Sequence, residues 1–257
     1  MGELKSQSIS QVIDLQQDFF GIEKRRWQLA NTNNVPLITS EQASIGISYN
    51  QNNLLVSIEG YYKGVNNITA RSQGFQNQFQ FTNDVGTYTV KGIDFLINKR
   101  FNNFSTWLSY SYSKNDYQFK NLNNGKPFPN TLDLRHVANA SLTYNLDNFK
   151  IGFGINWNSG RPYTTPSEIQ NSSNSVIEFE SPNSSRLSDY FRTDISAIYN
   201  FEFTKGIKAE LGASVWNIFN QTNFINSYYT FDSDNSITKI NNRSLKFTPN
   251  LSLRLNF

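Results

Sequence analysis

The chain contains no cysteine and a single histidine. The first absence rules out a disulfide framework and thiolate chemistry. Together they leave little with which to hold a transition metal. No run of about 18 apolar residues exists, so no helix of the kind that crosses a bilayer is expected. That says nothing about strands, which conceal a membrane face by alternation. Charge of either sign is also sparse. The formal net charge is +3 over 257 residues, and no basic stripe points to nucleic acid. The one basic run, at residues 23–26, reads as a solvated rim. The first residues, MGELKSQSISQV, lack the apolar stretch of a secretory signal. The expectation is that a leader was removed or that the chain is part of a longer protein. Helical periodicity is absent, and no sequence motif recurs at a fixed spacing.

Aromatic residues are plentiful. They make up 15% of the chain, with 21 Phe, 13 Tyr and 4 Trp, although hydrophobic residues reach only 37%. Mean hydropathy is −0.53. Many aromatics in a polar chain suit a barrel with an apolar lipid face, a polar lumen and aromatic girdles.

The alternation that supports this is plainest at the end of the chain. In LKFTPNLSLRLNF, Leu251, Leu253, Leu255 and Phe257 share one parity, and Ser252, Arg254 and Asn256 the other. Successive side chains of a strand point to opposite faces, so this is a strand with one apolar and one polar side. An amphipathic terminal strand ending in Phe resembles the assembly signal of outer-membrane barrels. Upstream segments repeat the pattern. Ile45, Ile47 and Tyr49 align, as do Leu54, Val56, Ile58 and Tyr62. So do Phe104, Leu108, Tyr110 and Tyr112, then Ile151, Phe153, Ile155 and Trp157, then Ala209, Leu211, Ala213 and Val215.

Tight Asn/Asp/Gly turns are expected near residues 51–53, 102–103, 147–148 and 204–206. Long polar connections separate these hairpins. Connections above about 15 residues are uncommon in compact soluble domains. Regular exchange of tight and long connections is expected when one barrel end faces the periplasm and the other the outside.

Chemistry-bearing constellations are few. His136 lies beside Asp133 and Arg135, with no nucleophile in the pattern, and reads as a rim residue. Asp232 and Asp234 lack the Gly and distal Glu of a calcium loop and read as solvated. Phe75, Phe79, Phe81, Tyr163, Phe224, Tyr228 and Tyr229 lie in the long connections. They are the candidates for a ligand-stacking surface. The alternative is an interfacial girdle with loop-packing anchors. Glu59, Asp94, Glu202, Glu210 and Arg254 fall on the polar parity and are expected to pair across strands or with a plug. No catalytic, cofactor or metal residue is indicated.

Several segments carry a family resemblance. They are GIDFLINKRF with WLSYSYS (Gly92–Ser113), FPNTLDLRH (Phe128–His136) and WNSGRPYTTP (Trp157–Pro166). DYFRTDISAIY (Asp189–Tyr199), SVWNIFNQTN (Ser214–Asn223) and the terminal TPNLSLRLNF complete the set. In order and spacing the chain resembles the carboxy-terminal part of a TonB-dependent outer-membrane receptor of the kind abundant in Bacteroidetes. The resemblance implies an all-β fold. It is an antiparallel transmembrane β-meander of about ten strands, part of a barrel of about 22. Residues 1–257 would all belong to that barrel, with the plug domain and the first strands absent. It also implies uptake of a siderophore, a cobalamin or an oligosaccharide, and no enzymatic activity. The implied partners are outer-membrane lipid, the barrel-assembly machinery at the last strand, TonB and the plug in the full-length protein, and a surface lipoprotein. Two other readings fit the alternation: an independent small porin-like barrel, and a soluble carbohydrate-binding β-sandwich.

Overall fold

A computed structural model of the chain describes residues 36–70, 84–168, 177–204 and 206–256 in full. It describes residues 2–6, 10–14 and 24–28 by their backbone alone. In chain order the first strands are β1 (Gly2–Ser6), β2 (Ser10–Asp14), β3 (Lys24–Gln28), β4 (Ile38–Gln51) and β5 (Leu54–Thr69). Next come β6 (Val85–Arg100), β7 (Phe104–Phe119), β8 (Phe128–Pro129), β9 (His136–Leu146) and β10 (Phe149–Asn158). The remainder are β11 (Pro162–Tyr163), β12 (Ser185–Arg186), β13 (Tyr190–Thr204), β14 (Ile207–Trp216), β15 (Phe224–Phe231), β16 (Ile237–Arg243) and β17 (Thr248–Asn256).

The main sheet is an antiparallel meander in the order β1-β4-β5-β6-β7-β9-β10-β13-β14-β17, with β8 paired onto β7. Its two end strands do not pair with each other among the described residues. The sheet is therefore a barrel wall that is not closed. The expected turns form where the turn chemistry placed them. Asn52 and Asn53 both take positive φ, 51° and 58°, a conformation Asn tolerates and a twisted two-residue hairpin requires. Asp147 and Gly206 serve the same purpose at two further hairpins, with φ of 43° and 88°. All these turns lie at one end of the wall, and the long connections lie at the other, the long-loop end.

Register keeps like with like. Leu211 lies opposite Leu253, Ala213 opposite Leu251 and Ala209 opposite Leu255, while Gly212 faces Ser252. A one-residue slip would exchange the two faces, so the alternation fixes the pairing. No second sheet covers the apolar face among the described residues. Leu251 is 78% exposed, Leu253 64% and Leu211 41%, and Ile155 is only half-buried. A soluble sandwich would bury these side chains between two sheets. Here they stand on the outside of a single layer.

Aromatic residues band the same face at two heights. Near the tight turns, Phe104 and Tyr144 pack with ring centroids 4.4 Å apart, and Phe149 and Tyr199 at 4.5 Å. Toward the long-loop end, Tyr112 meets His136 at 5.2 Å, and the Tyr110 hydroxyl lies 2.8 Å from His136 Nδ1. Trp157 adjoins the same imidazole. His136 is thus a rim residue within an aromatic belt. Eight residues separate Phe104 from Tyr112, about 26 Å along a strand at ~3.3 Å per residue. Allowing for tilt, that suits an apolar band of about 25 Å between girdles.

The opposite face is polar. Gln42, Ser44, Glu59, Tyr61, Lys63 and Asp94 line an open hollow of about 580 Å³. Arg254 sits 3.5 Å from Glu210, its register partner, and Glu202 lies opposite Lys208. Glu59 and Asp94 instead face each other. Like charges placed directly opposite repel, so this stretch of wall favours a cationic neighbour.

The buried apolar core is small and lies beyond the belts. Val65, Ile68, Ala70, Tyr117, Phe119, Leu122 and Phe128 form it where β5 and β7 run on toward the long-loop end. It seats the β7–β9 connection on the strand ends.

Candidate functional site

Three long connections meet at the long-loop end. The first joins β7 to β9 (120–135), the second β10 to β13 (159–189) and the third β14 to β17 (217–247). The third carries a hairpin of its own, β15–β16, pairing Tyr229 with Lys239 and Tyr228 with Ile240.

The hairpin is held at its root by two asparagines that are each 1% exposed. Asn217 accepts the Gln221 amide at 2.9 Å and donates through Nδ2 to the Gln221 carbonyl at 2.8 Å. Its own amide donates to Asp194 Oδ1 at 2.9 Å. Asn223 pairs with Phe191 in both directions, at 2.9 and 2.8 Å. These bonds account for two of the quoted segments. In SVWNIFNQTN and DYFRTDISAIY, the polar residues clamp a loop root to a strand.

The short link between the hairpin and the second connection is a cation. Lys239 Nζ donates to the Tyr163 hydroxyl at 2.8 Å and lies 4.4 Å from the centre of that ring. The Tyr229 ring lies 5.9 Å from the same nitrogen. A cation over aromatic faces is attracted by their negative quadrupoles. Burial, then the neighbouring Tyr163, pushes the Tyr229 phenol above the ordinary 10.0. The folded chain therefore holds this proton more tightly than the unfolded chain does. The contribution is complete below about pH 10 and is lost as pH rises through the shifted value. As pH rises through the shifted value, protection of the β15–β16 amides, taken relative to their base-catalysed exchange in the unfolded chain, should fall in the native protein and not in a Tyr229→Phe variant. An equal fall in both would exclude Tyr229 as the cause. Close by, Arg243 lies over the Phe224 ring at 5.8 Å.

The structure thus brings Tyr163 and Tyr229 together and puts Phe224 on the same hairpin. Tyr228 lies on the hairpin's opposite face, because strand neighbours point to opposite sides. Phe75, Phe79, Phe81 and Phe257 lie outside the described residues. Lys239, at the centre of the cluster, carries no signal in the sequence beyond being a cation in an Asn-rich loop. Among the described residues no group of His, Cys, Asp or Glu is placed to hold a metal ion.

A family model described as TonB dependent receptor-like, beta-barrel matches residues 14–220. The chain belongs to this family. Solved structures agree on the fold of the receptor barrel. The ferric yersiniabactin uptake receptor FyuA from Yersinia pestis superposes with a TM-score of 0.62 at 13% identity, over 92% of this chain and 32% of that one. The ferric citrate transporter FecA gives 0.60 at 15% identity, over 84% and 31%. The pyoverdine receptor FpvA from Pseudomonas aeruginosa gives 0.55 at 17%, over 86% and 30%. The chain spans about a third of the length of these receptors. No curated protein matches the sequence. In receptor terms, the exposed parity is the lipid face, the polar parity the barrel interior, and the Tyr163–Tyr229–Lys239 cluster belongs to the loops above the barrel.

Proposed function

We propose that this chain is part of a Gram-negative outer-membrane receptor that takes up a scarce nutrient with energy from TonB. A ferric siderophore heads the nutrient classes, ahead of a cobalamin or an oligosaccharide. Membership of the receptor family carries the reading. The three solved neighbours support the ordering, being named for ferric citrate, ferric yersiniabactin and pyoverdine. In this reading Tyr163, Tyr229 and Lys239 contact the nutrient, with Phe224 beside them. Lys239 and the phenols would meet anionic oxygens, and the rings would take flat apolar groups. Phe75, Phe79 and Phe81 are further candidate contacts, and Tyr228, on the hairpin's opposite face, would meet the nutrient only from that side. The plug and TonB act in the full-length protein, and a surface lipoprotein is an accessory of the loops. Leu251, Leu253, Leu255 and Phe257 present the last strand to the barrel-assembly machinery.

The test is uptake by the full-length receptor in an iron-starved host. Radiolabelled iron on a panel of siderophores, radiolabelled cobalamin and labelled oligosaccharides should give accumulation of one class, abolished by deleting TonB. Accumulation that ignores TonB would defeat the reading and favour a passive pore. For the transported member, Lys239→Ala should raise the half-saturating concentration about tenfold, equivalent to ~1.4 kcal/mol, with the maximal rate retained. An unchanged half-saturating concentration would remove Lys239 from the contact.

A further inference from the structure

We propose that Asp133 is the positioning residue of the Tyr163–Tyr229–Lys239 contact, acting through Arg186 to hold the three long connections as one block. The proposal takes that contact as the nutrient site. Its test uses no nutrient, so the two can fail separately.

Asp133 lies in the first connection, and its side chain is fully buried. The carboxylate is completely engaged. Oδ1 accepts the backbone N–H of Asn115, on β7, at 2.9 Å. Oδ2 accepts Arg135 Nη2 at 2.7 Å and Arg186 Nη2 in a short contact. A buried carboxylate is retained only when paired and hydrogen-bonded, and here both conditions hold.

Arg186 lies 53 residues further along the chain, in the second connection. Its Nη1 donates to the Asp133 carbonyl at 2.8 Å and to the Gly160 carbonyl at 3.0 Å. One guanidinium fork therefore spans both connections, a geometry that lysine cannot reproduce. Arg186 is on β12, opposite Pro162, and the next pair in that ribbon is Ser185 with Tyr163. The backbone that carries Tyr163 is thus fastened to Asp133 one residue away from the phenol. Asn183 adds a bond from Nδ2 to the Pro129 carbonyl at 2.8 Å.

The third connection is attached through the second. Arg161 donates through Nη2 to the Thr131 carbonyl and through Nη1 to the Ile225 carbonyl. Those bonds are long, at 3.5 and 3.4 Å, which leaves Tyr163 to Lys239 as the short link. The order of support is therefore β7, Asp133, Arg186, the β11–β12 ribbon, Tyr163, Lys239 and the β15–β16 hairpin. A purely local role for Asp133 would stop at the first two connections.

Amide exchange in the full-length receptor in detergent distinguishes these. Asp133→Asn keeps the size of the side chain and removes the charge. Exchange should rise about tenfold in residues 128–135, in β11–β12 and in β15–β16 together, with β5 and β6 unchanged. Acetylation of Lys239 should also accelerate, to the rate seen in Tyr163→Phe, which breaks only the last link. If Asp133→Asn does not assemble, Arg186→Lys is read in the same way, because it keeps the charge and loses the fork. Native exchange in β15–β16 and native Lys239 reactivity, alongside loosening of the first two connections, would overturn the proposal.

Discussion

Leu251→Arg should block assembly of the full-length receptor in the outer membrane, and Asn250→Arg, one residue away, should not. The contrast follows from parity alone. Leu251 is 78% exposed on the apolar face, opposite Ala213. Asn250 is on the polar face opposite Ser214. An arginine on the lipid face of a barrel costs about 2–4 kcal/mol near the bilayer midplane and falls toward zero at the interfaces. At about 1.4 kcal/mol per factor of ten, that is roughly a 30- to 1000-fold loss of inserted protein. The same arginine at 250 points into the wet interior and keeps its hydration. The measurement is the fraction of receptor in the membrane that migrates as the compact, heat-modifiable form. Equal tolerance of the two substitutions, or the reverse order, would show that the apolar parity does not touch lipid. The receptor reading would then lose its physical basis. Ile45 and Ile47, 82% and 74% exposed on β4, give the same test at the other side of the wall.

That contrast could be written down from the sequence because alternation and turn chemistry are local. The turn at 52–53 and the pairing of Leu211 with Leu253 need only the strand period and the αL tolerance of Asn. Legibility fades where lipid no longer imposes the pattern. The alternation legible in the sequence runs from Phe104 to Tyr112, yet β7 continues to Phe119. Its last six residues, KNDYQF, lie beyond the upper belt, where both faces meet protein or water. The β15–β16 hairpin was likewise legible only as a polar loop. Its strands carry Asn, Ser and Thr, and a register shift between Phe224 and Asn226 breaks the alternation. The site was legible only as a set of aromatics. That Tyr163 and Tyr229 meet while Tyr228 turns away depends on the hairpin's register. That Lys239 joins them depends on a partner 76 residues distant. Asp133 and Arg186 show the same limit. Each stands inside or beside a quoted segment, and nothing in either segment names the other.

Gly160→Ala should disable the loops and leave the wall intact. A Cβ on Gly160 would lie 1.7 Å from the Leu187 carbonyl oxygen and 2.5 Å from its carbonyl carbon. Both are backbone atoms, so no rotamer change relieves the clash. Nor is the segment free to move aside. The Gly160 amide donates to Asp189 Oδ1 at 3.2 Å, and its carbonyl accepts Arg186 Nη1. Leu187 in turn donates its amide to the Arg161 carbonyl at 2.9 Å. One methyl group therefore has to separate β11 from β12, and Tyr163 goes with them. Overpacking of a tight site costs about 1–3 kcal/mol and more when backbone must shift, comparable with what holds a loop in place. Gly154→Ala is the matched control: on β10 the same methyl group meets nothing within 4 Å. Limited trypsin digestion separates the two. Arg161 precedes proline and resists cleavage, so the new cut in Gly160→Ala is expected after Arg186. The heat-modifiable barrel should persist and uptake should fall sharply. A Gly160→Ala receptor that resists trypsin and transports normally would mean that the second connection does not rest on this contact. Tyr163 would then owe its position to the hairpin rather than to the ribbon that carries it.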